Sequence, residues 1–308
     1  MKVGILLWPQ AADWPQVERA ARRVDEMGYH SLWLWDHLYS IEGGSDQPIF
    51  EGWLTLAAWA AVTKQVKLGL LVGANTLRNP GLVAKMATTL DHISNGRAIL
   101  GMGAAWHENE HVAFGIPFGS GFGERIDWLD QSLHVIRGLL DGKTVDFTSD
   151  HYQFQSARQY PVPIQPHLPI LVGANGEKKG LRVVARHADL WNTMGALDIV
   201  AHRDEVLREH CESIGRDPAT IERTLEFKTL IRDDQGEADR EWARRIVANG
   251  SSPDRIRNAW VGPPALVAER IRAYRAIGFE TFIVELPAPY DLETIERLIG
   301  EAVPLAAS

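Results

Sequence analysis

The sequence predicts an α/β protein of the (β/α)8 or TIM-barrel class, a single domain over residues 1–308 with insertions after the fourth helix and after the seventh strand. Three observations lead there. Short apolar runs alternate with amphipathic helical stretches in strict order through eight units, more than a doubly wound sheet usually sustains. The junction Met27-Gly28-Tyr29-His30-Ser31 recurs as Ile277-Gly278-Phe279-Glu280-Thr281, the same helix–glycine–aromatic–strand turn at both ends, as in a closed wheel. Finally, 308 residues, 45% hydrophobic and 23% charged, suffice for one large barrel with a sizeable core.

Each element has its own signal. A first strand is expected at 3–8, then a helix capped by Asp13, with Pro15 near its start and Val17, Ala20, Ala21 and Val24 on one face. Gly28 stops it before a second strand at 31–35. A polar loop with Gly43 and Gly44 leads to a helix at 53–62, and a third strand follows at 66–72. Asn79-Pro80 opens a helix that Asn95-Gly96 closes, and the fourth strand spans 98–102. After a glycine-rich loop comes a helix carrying Ile126, Leu129, Leu133, Ile136 and Leu140.

Residues 142–168 break the rhythm and read as an insertion holding a hairpin, with 145–147 facing 152–154. Strands five and six are expected at 169–172 and 188–192, separated by a helix starting at Glu177. A helix at 199–214 then leads to strand seven at 223–231. A charged stretch within 236–260 reads as a second insertion. Pro263 opens a helix, strand eight is expected at 282–286, and a last helix covers 292–303.

Composition narrows the function. A formal charge of −8 disfavours a nucleic-acid partner, which needs a basic face. One cysteine, Cys211, cannot form an internal disulfide, and no apolar run reaches the length of a membrane span. The expectation is a cytoplasmic enzyme acting on a small molecule.

In a barrel the chemistry lies at the C-terminal strand ends. Those ends hold Trp8, Asp36-His37, Val72-Gly73-Ala74-Asn75, Gly103-Ala104-Ala105-Trp106, Gly173-Ala174-Asn175-Gly176 and Glu285. Small residues at three of them leave room for a planar ring against the backbone. The turn at Gly173–176 precedes a helix with Lys178 and Lys179, a natural phosphate seat. Asp36-His37 places an imidazole beside a carboxylate, suited to proton transfer near neutral pH. A competing signal is His107-Glu108-Asn109-Glu110-His111, which matches the H-E-x-x-H zinc pattern. It starts four residues after a Gly-x-Gly turn and meets Gly115 and Pro117, leaving no room for the long helix that a zinc hydrolase needs.

Taken together, Trp33-Leu34-Trp35-Asp36-His37, Leu68-Gly69-Leu70-Leu71-Val72, Arg78-Asn79-Pro80, Asp91-His92-Ile93-Ser94-Asn95-Gly96-Arg97 and Leu100-Gly101-Met102-Gly103-Ala104-Ala105-Trp106 through Glu110 resemble the luciferase-like monooxygenase superfamily. They are most similar to its branch using coenzyme F420, a deazaflavin, and the similarity spans nearly the whole chain. The resemblance implies a (β/α)8 barrel and hydride transfer between coenzyme F420 and a small organic substrate. The alternative within the fold is a monooxygenase using FMN supplied by a partner flavin reductase. It also implies a homodimer and assigns residues. His37, with Asp36, would transfer the proton. Leu71 and Val72 would back the ring through a non-prolyl cis peptide. Ala104, Ala105 and Asn109 would approach the ring, and Gly173, Ala174, Asn175 and Gly176 would hold the phosphate. Trp8, Tyr39 and Trp106 would line the substrate pocket. Two departures stand out: Trp106 replaces a glutamate of the branch's dehydrogenases, and Ile41 replaces an aromatic residue. The missing acid favours the reductase direction.

Overall fold

The computed structural model of the chain describes residues 1–255 and 259–308. Its strands are β1 (Lys2–Leu7), β2 (Ser31–Leu34), β3 (Lys67–Leu70), β4 (Gly73–Ala74), β5 (Leu100–Gly103), β6 (Val145–Thr148), β7 (Gln153–Ala157), β8 (Ile170–Gly173), β9 (Leu190–Thr193), β10 (Glu222–Ile231), β11 (Trp260–Gly262) and β12 (Thr281–Leu286). The parallel sheet runs β3-β2-β1-β12-β10-β9-β8-β5-β4, and a bridge between Leu68 and Ala98 brings its two ends together. β3 and β4 are two pieces of one expected strand, divided at Leu71-Val72, whose peptide bond is cis. Counting that pair once, the ring has the eight staves that the sequence predicts.

The helices around it are α1 (Trp14–Glu26), α2 (Gly52–Val62), α3 (Pro80–Ser94), α4 (Glu108–Phe114), α5 (Phe122–Leu140), α6 (Gly180–His187), α7 (Leu197–Ser213), α8 (Gln235–Ala248), α9 (Pro264–Arg275), α10 (Leu292–Arg297) and α11 (Val303–Ala307). A π-helical stretch, Leu298–Ala302, joins the last two. The caps are local chemistry. Asp13 accepts from the Gln16 amide and Asn79 from Gly81, while Asn95 in the left-handed region (φ 56) and Gly96 (φ 80) end α3.

Two expected boundaries move. The helix expected from Glu177 begins at Gly180, because 177–179 form a turn, and α4 is a separate short helix within what reads as loop. Between α5 and β8, β6 and β7 pair antiparallel as a hairpin. Within the charged stretch after β10, α8 is followed by a single 3-10 turn at Pro253–Arg255; the part at 256–258 lies outside the described residues.

Alternation along the strands builds two cores. Val3, Ile5 and Leu7 of β1 face the helices, whereas Leu6 faces the barrel interior with Trp33, Ile99, Leu171, Leu190 and Ile283. The Trp33 indole takes the central space, donating to Ser31 Oγ at 2.8 Å. That placement demands glycine nearby: a Cβ on Gly69 would lie 2.5 Å from the Trp33 ring. Gly101 is held more tightly still, since its Cβ would sit 1.9 Å from the Leu70 carbonyl oxygen. Gly101→Ala should therefore cost about 3 kcal/mol or more in chemical denaturation. Gly176→Ala, whose Cβ meets nothing within 4 Å, should change stability little.

Candidate active site

A cavity of about 760 Å³ opens at the C-terminal ends of the strands. A second one, about 720 Å³, lies at the other end of the barrel among Lys2, Glu222 and Thr281, where the polar groups already pair with one another. Strand ends supply the means of positioning chemistry in this fold, so the C-terminal cavity is the candidate site.

Asp36, directly after β2, is fully buried. Its Oδ2 accepts from the Ala74 amide at 2.9 Å and from Arg78 Nη1 at 2.7 Å, and its Oδ1 from Arg78 Nη2 at 3.0 Å. Arg78 also donates to Glu51, which caps α2. Burial pushes the Asp36 carboxyl up, and the Arg78 charge and hydrogen bonds oppose it. The expected Asp36–His37 partnership is not what forms. Asp36 is committed to Arg78, and its role is to tie strand ends together.

His37 has a different carboxylate. Its Nδ1 lies 2.9 Å from Glu110 Oε1, while Glu110 Oε2 accepts from the Leu38 amide at 2.7 Å and the Tyr39 amide at 3.4 Å. Burial would raise the Glu110 carboxyl, but the hydrogen bond and charge of His37 and the two amides outweigh it and hold it below the ordinary range. An ionised Glu110 can only accept, so His37 carries a hydrogen on Nδ1, and its Nε2 has no hydrogen-bond partner among the described residues. His37 lines the cavity, with the Trp106 ring edge-on at 5.5 Å.

Small residues form much of the lining: Ala74, Gly103, Ala104, Ala105, Gly173 and Ala174. Ala105 sits in the left-handed region (φ 62), a conformation that costs a non-glycine residue about 1 kcal/mol or more. Leu71, Val72, Asn175 and Gly176 also reach the cavity. Asn175 Oδ1 accepts from Thr193 and Arg203. Lys179, expected as a phosphate partner, donates instead to Asp127 at 2.6 Å.

Other expectations need correction. Asn109 is exposed on α4 and does not line the cavity; Glu110, the next residue, is the one turned inward. Trp8 is buried beneath the lining, its Nε1 donating to Glu285 at 2.9 Å. Tyr39 packs on Phe114, also away from the cavity. Trp106 does line it, 60% exposed. The zinc alternative fails on geometry. His107 precedes α4, and both ring nitrogens of buried His111 are engaged, Nδ1 with the His107 carbonyl and Nε2 with Thr76 Oγ1. Glu110, Arg78, Glu226 and Lys228 were missed. The signal for the last two was present, since charges two apart inside an apolar strand mark one face.

An oriented imidazole and a set of small residues line one cavity at the C-terminal strand ends, an arrangement that belongs to the barrel enzymes. The chain belongs to the luciferase-like monooxygenase family, whose model matches residues 1–281. An F420-dependent glucose-6-phosphate dehydrogenase of Amycolatopsis mediterranei is 31% identical over 236 residues, 72% of this chain and 68% of that protein. Among solved structures, an F420-dependent secondary alcohol dehydrogenase in complex with an F420-acetone adduct superposes with a TM-score of 0.85, covering 99% of this chain and 98% of its own at 22% identity. The monooxygenase RslO1 from Streptomyces bottropensis superposes at 0.81 and 22% identity, covering 97% and 96%. These two share the fold.

Glu110 binds its proton more weakly in the folded chain than in the unfolded one. Its contribution to stability is thus complete above its ordinary value and is lost as pH falls through the lower folded value. Glu110→Gln should flatten the acid limb of a stability–pH curve followed by urea unfolding. Arg78→Met should cost about 3–5 kcal/mol by the same measurement, because it leaves the buried Asp36 unpaired.

Proposed function

We propose that this protein is a coenzyme F420-dependent oxidoreductase that reduces a small organic substrate. The observation that carries the reading is His37, pinned through Nδ1 by Glu110, with Nε2 unpartnered among the described residues, at a cavity lined by small residues. The wall suits a flat ring. A Cβ on Gly103 would lie 2.5 Å from Val72 and one on Gly173 3.0 Å from it, so side chains there would fill the cradle. Leu71, Val72, Ala104 and Ala105 would hold the ring, and Gly173 to Gly176 the phosphate, through backbone amides.

Coenzyme F420 supplies hydride transfer and, with carbon at position five, is nearly inert to oxygen, whereas FMN permits oxygen activation. The chain's own part is to seat the ring, keep water out and move one proton at His37 Nε2. The reductase direction draws support from Trp106, which leaves no carboxylate where the resembling dehydrogenases carry one. The family's monooxygenases favour a second reading, FMN with a partner flavin reductase.

We also read the chain as a homodimer in the cytoplasm. α2 is apolar all round, with Leu54 75% exposed, and Leu82 of neighbouring α3 is 52% exposed. A helix apolar on every face is covered on every face. Cys211, the single cysteine, is a buried free thiol.

Fluorescence titration with each coenzyme tests the reading: coenzyme F420 should quench and FMN should not, and tight FMN binding alone would overturn it. His37→Ala should keep coenzyme affinity within about threefold and slow turnover by about 10²–10⁴. Leu54→Glu should turn a dimer into a monomer in sedimentation velocity; an unchanged dimer would place the interface elsewhere.

A further inference from the structure

The floor of the cavity carries three ionisable side chains that the coenzyme reading leaves unused. Glu226 and Lys228, two apart on β10, share its inward face, and Lys228 stands in register with Glu285 of β12. Lys228 Nζ donates to Glu285 Oε1 at 2.6 Å, and Asn192 Nδ2 donates to Glu226 Oε2 at 2.9 Å. The Trp8 indole holds the other Glu285 oxygen, and its ring lies 5.9 Å from Lys228 Nζ. Glu226 pairs with Ile283 of β12, so Glu285 stands two positions further along the neighbouring strand on the same face, and two buried carboxylates beside one ammonium disfavour each other. Burial and the Glu285 charge push Glu226 well up. Glu285 is held down against its own burial by Lys228 and its hydrogen bonds. The cluster thus sets the Lys228 ammonium against one carboxyl held toward its ionised form, Glu285, and one pushed toward its neutral form, Glu226.

Lys228 spends one of its three N–H donors on Glu285, and its side chain remains 22% exposed to the cavity. Among the described lining residues it is the one lysine or arginine, beside Asp36, Glu42, Glu226 and Glu285. We propose that the Lys228 ammonium is the donor that seats the substrate's oxygen, and that the substrate is an uncharged carbonyl compound. This rests on the oxidoreductase reading and names its substrate class. A neutral carbonyl takes a spare N–H without adding charge to a desolvated floor. A phosphate would arrive among carboxyls with only a cation already matched by Glu285.

The test is calorimetric titration of the full chain, with and without oxidised coenzyme F420, using cyclohexanone, methylenecyclohexane and glucose 6-phosphate. Cyclohexanone should bind at least about tenfold tighter than methylenecyclohexane, and glucose 6-phosphate should not displace it. Lys228→Met alone would strand the Glu285 charge, so it is paired with Glu285→Gln. The double variant should keep its fold and coenzyme affinity and lose the preference for the oxygen. The proposal is overturned by a wild type without that preference, by a preference that survives in the folded double variant, or by glucose 6-phosphate binding as tightly as the ketone. The coenzyme-free arm separates the two claims: a ketone preference there, with no F420 binding, supports the floor and sinks only the coenzyme reading.

Discussion

Much of the upper barrel hangs on the Asp36 carboxylate. It is buried after β2, yet it holds the Ala74 amide, two residues beyond the cis peptide of the third stave, and the guanidinium of Arg78 before α3. Arg78 passes the tie on to Glu51 at the head of α2. Four segments thus converge on one buried charge. Such an arrangement is fragile, since an unpaired charge there would be costly, and for the same reason it admits one geometry. His37 follows Asp36 directly in the chain and inherits that rigidity. Glu110 then fixes the rotation of its ring, which the backbone cannot do.

The site therefore divides into a supporting layer and a layer that lines the cavity. Asp36, Arg78, Glu51 and Glu110 are occupied by one another or by backbone amides. His37, Lys228 and the small-residue wall line the cavity. Their chemistry differs across the cavity: the wall offers flat apolar backbone, the floor offers buried donors, and His37 stands between strand end and solvent.

The fold was legible because its signals are local. Caps such as Asp13 and Asn79, the stop at Asn95-Gly96 and the repeated helix–glycine–aromatic junction depend only on near neighbours, and each stands where the sequence puts it. The third stave was legible as a strand but not as two pieces. The site was legible to the level of segments and less so to residues. Asp36-His37 as a dipeptide suggested a partnership, whereas adjacent residues on an extended chain point opposite ways, and His37 finds its carboxylate 73 positions on. Asn109 and Glu110 are one helical step apart, about 100° of rotation, so choosing between them requires knowing where α4 begins. The zinc pattern failed for the same reason: its spacing counts only if the first histidine is inside the helix. Glu226 and Lys228 share one face of β10 by strand alternation, but only the folded barrel shows that this face lines the cavity.

Trp33 has one more consequence. With its indole inside the barrel, and Leu6, Ile99 and Ile283 in the same buried cluster, an apolar layer lies between the cavities at the two ends. The C-terminal cavity is thus floored by a packed apolar layer, and its charged groups stand on a base that is itself dry.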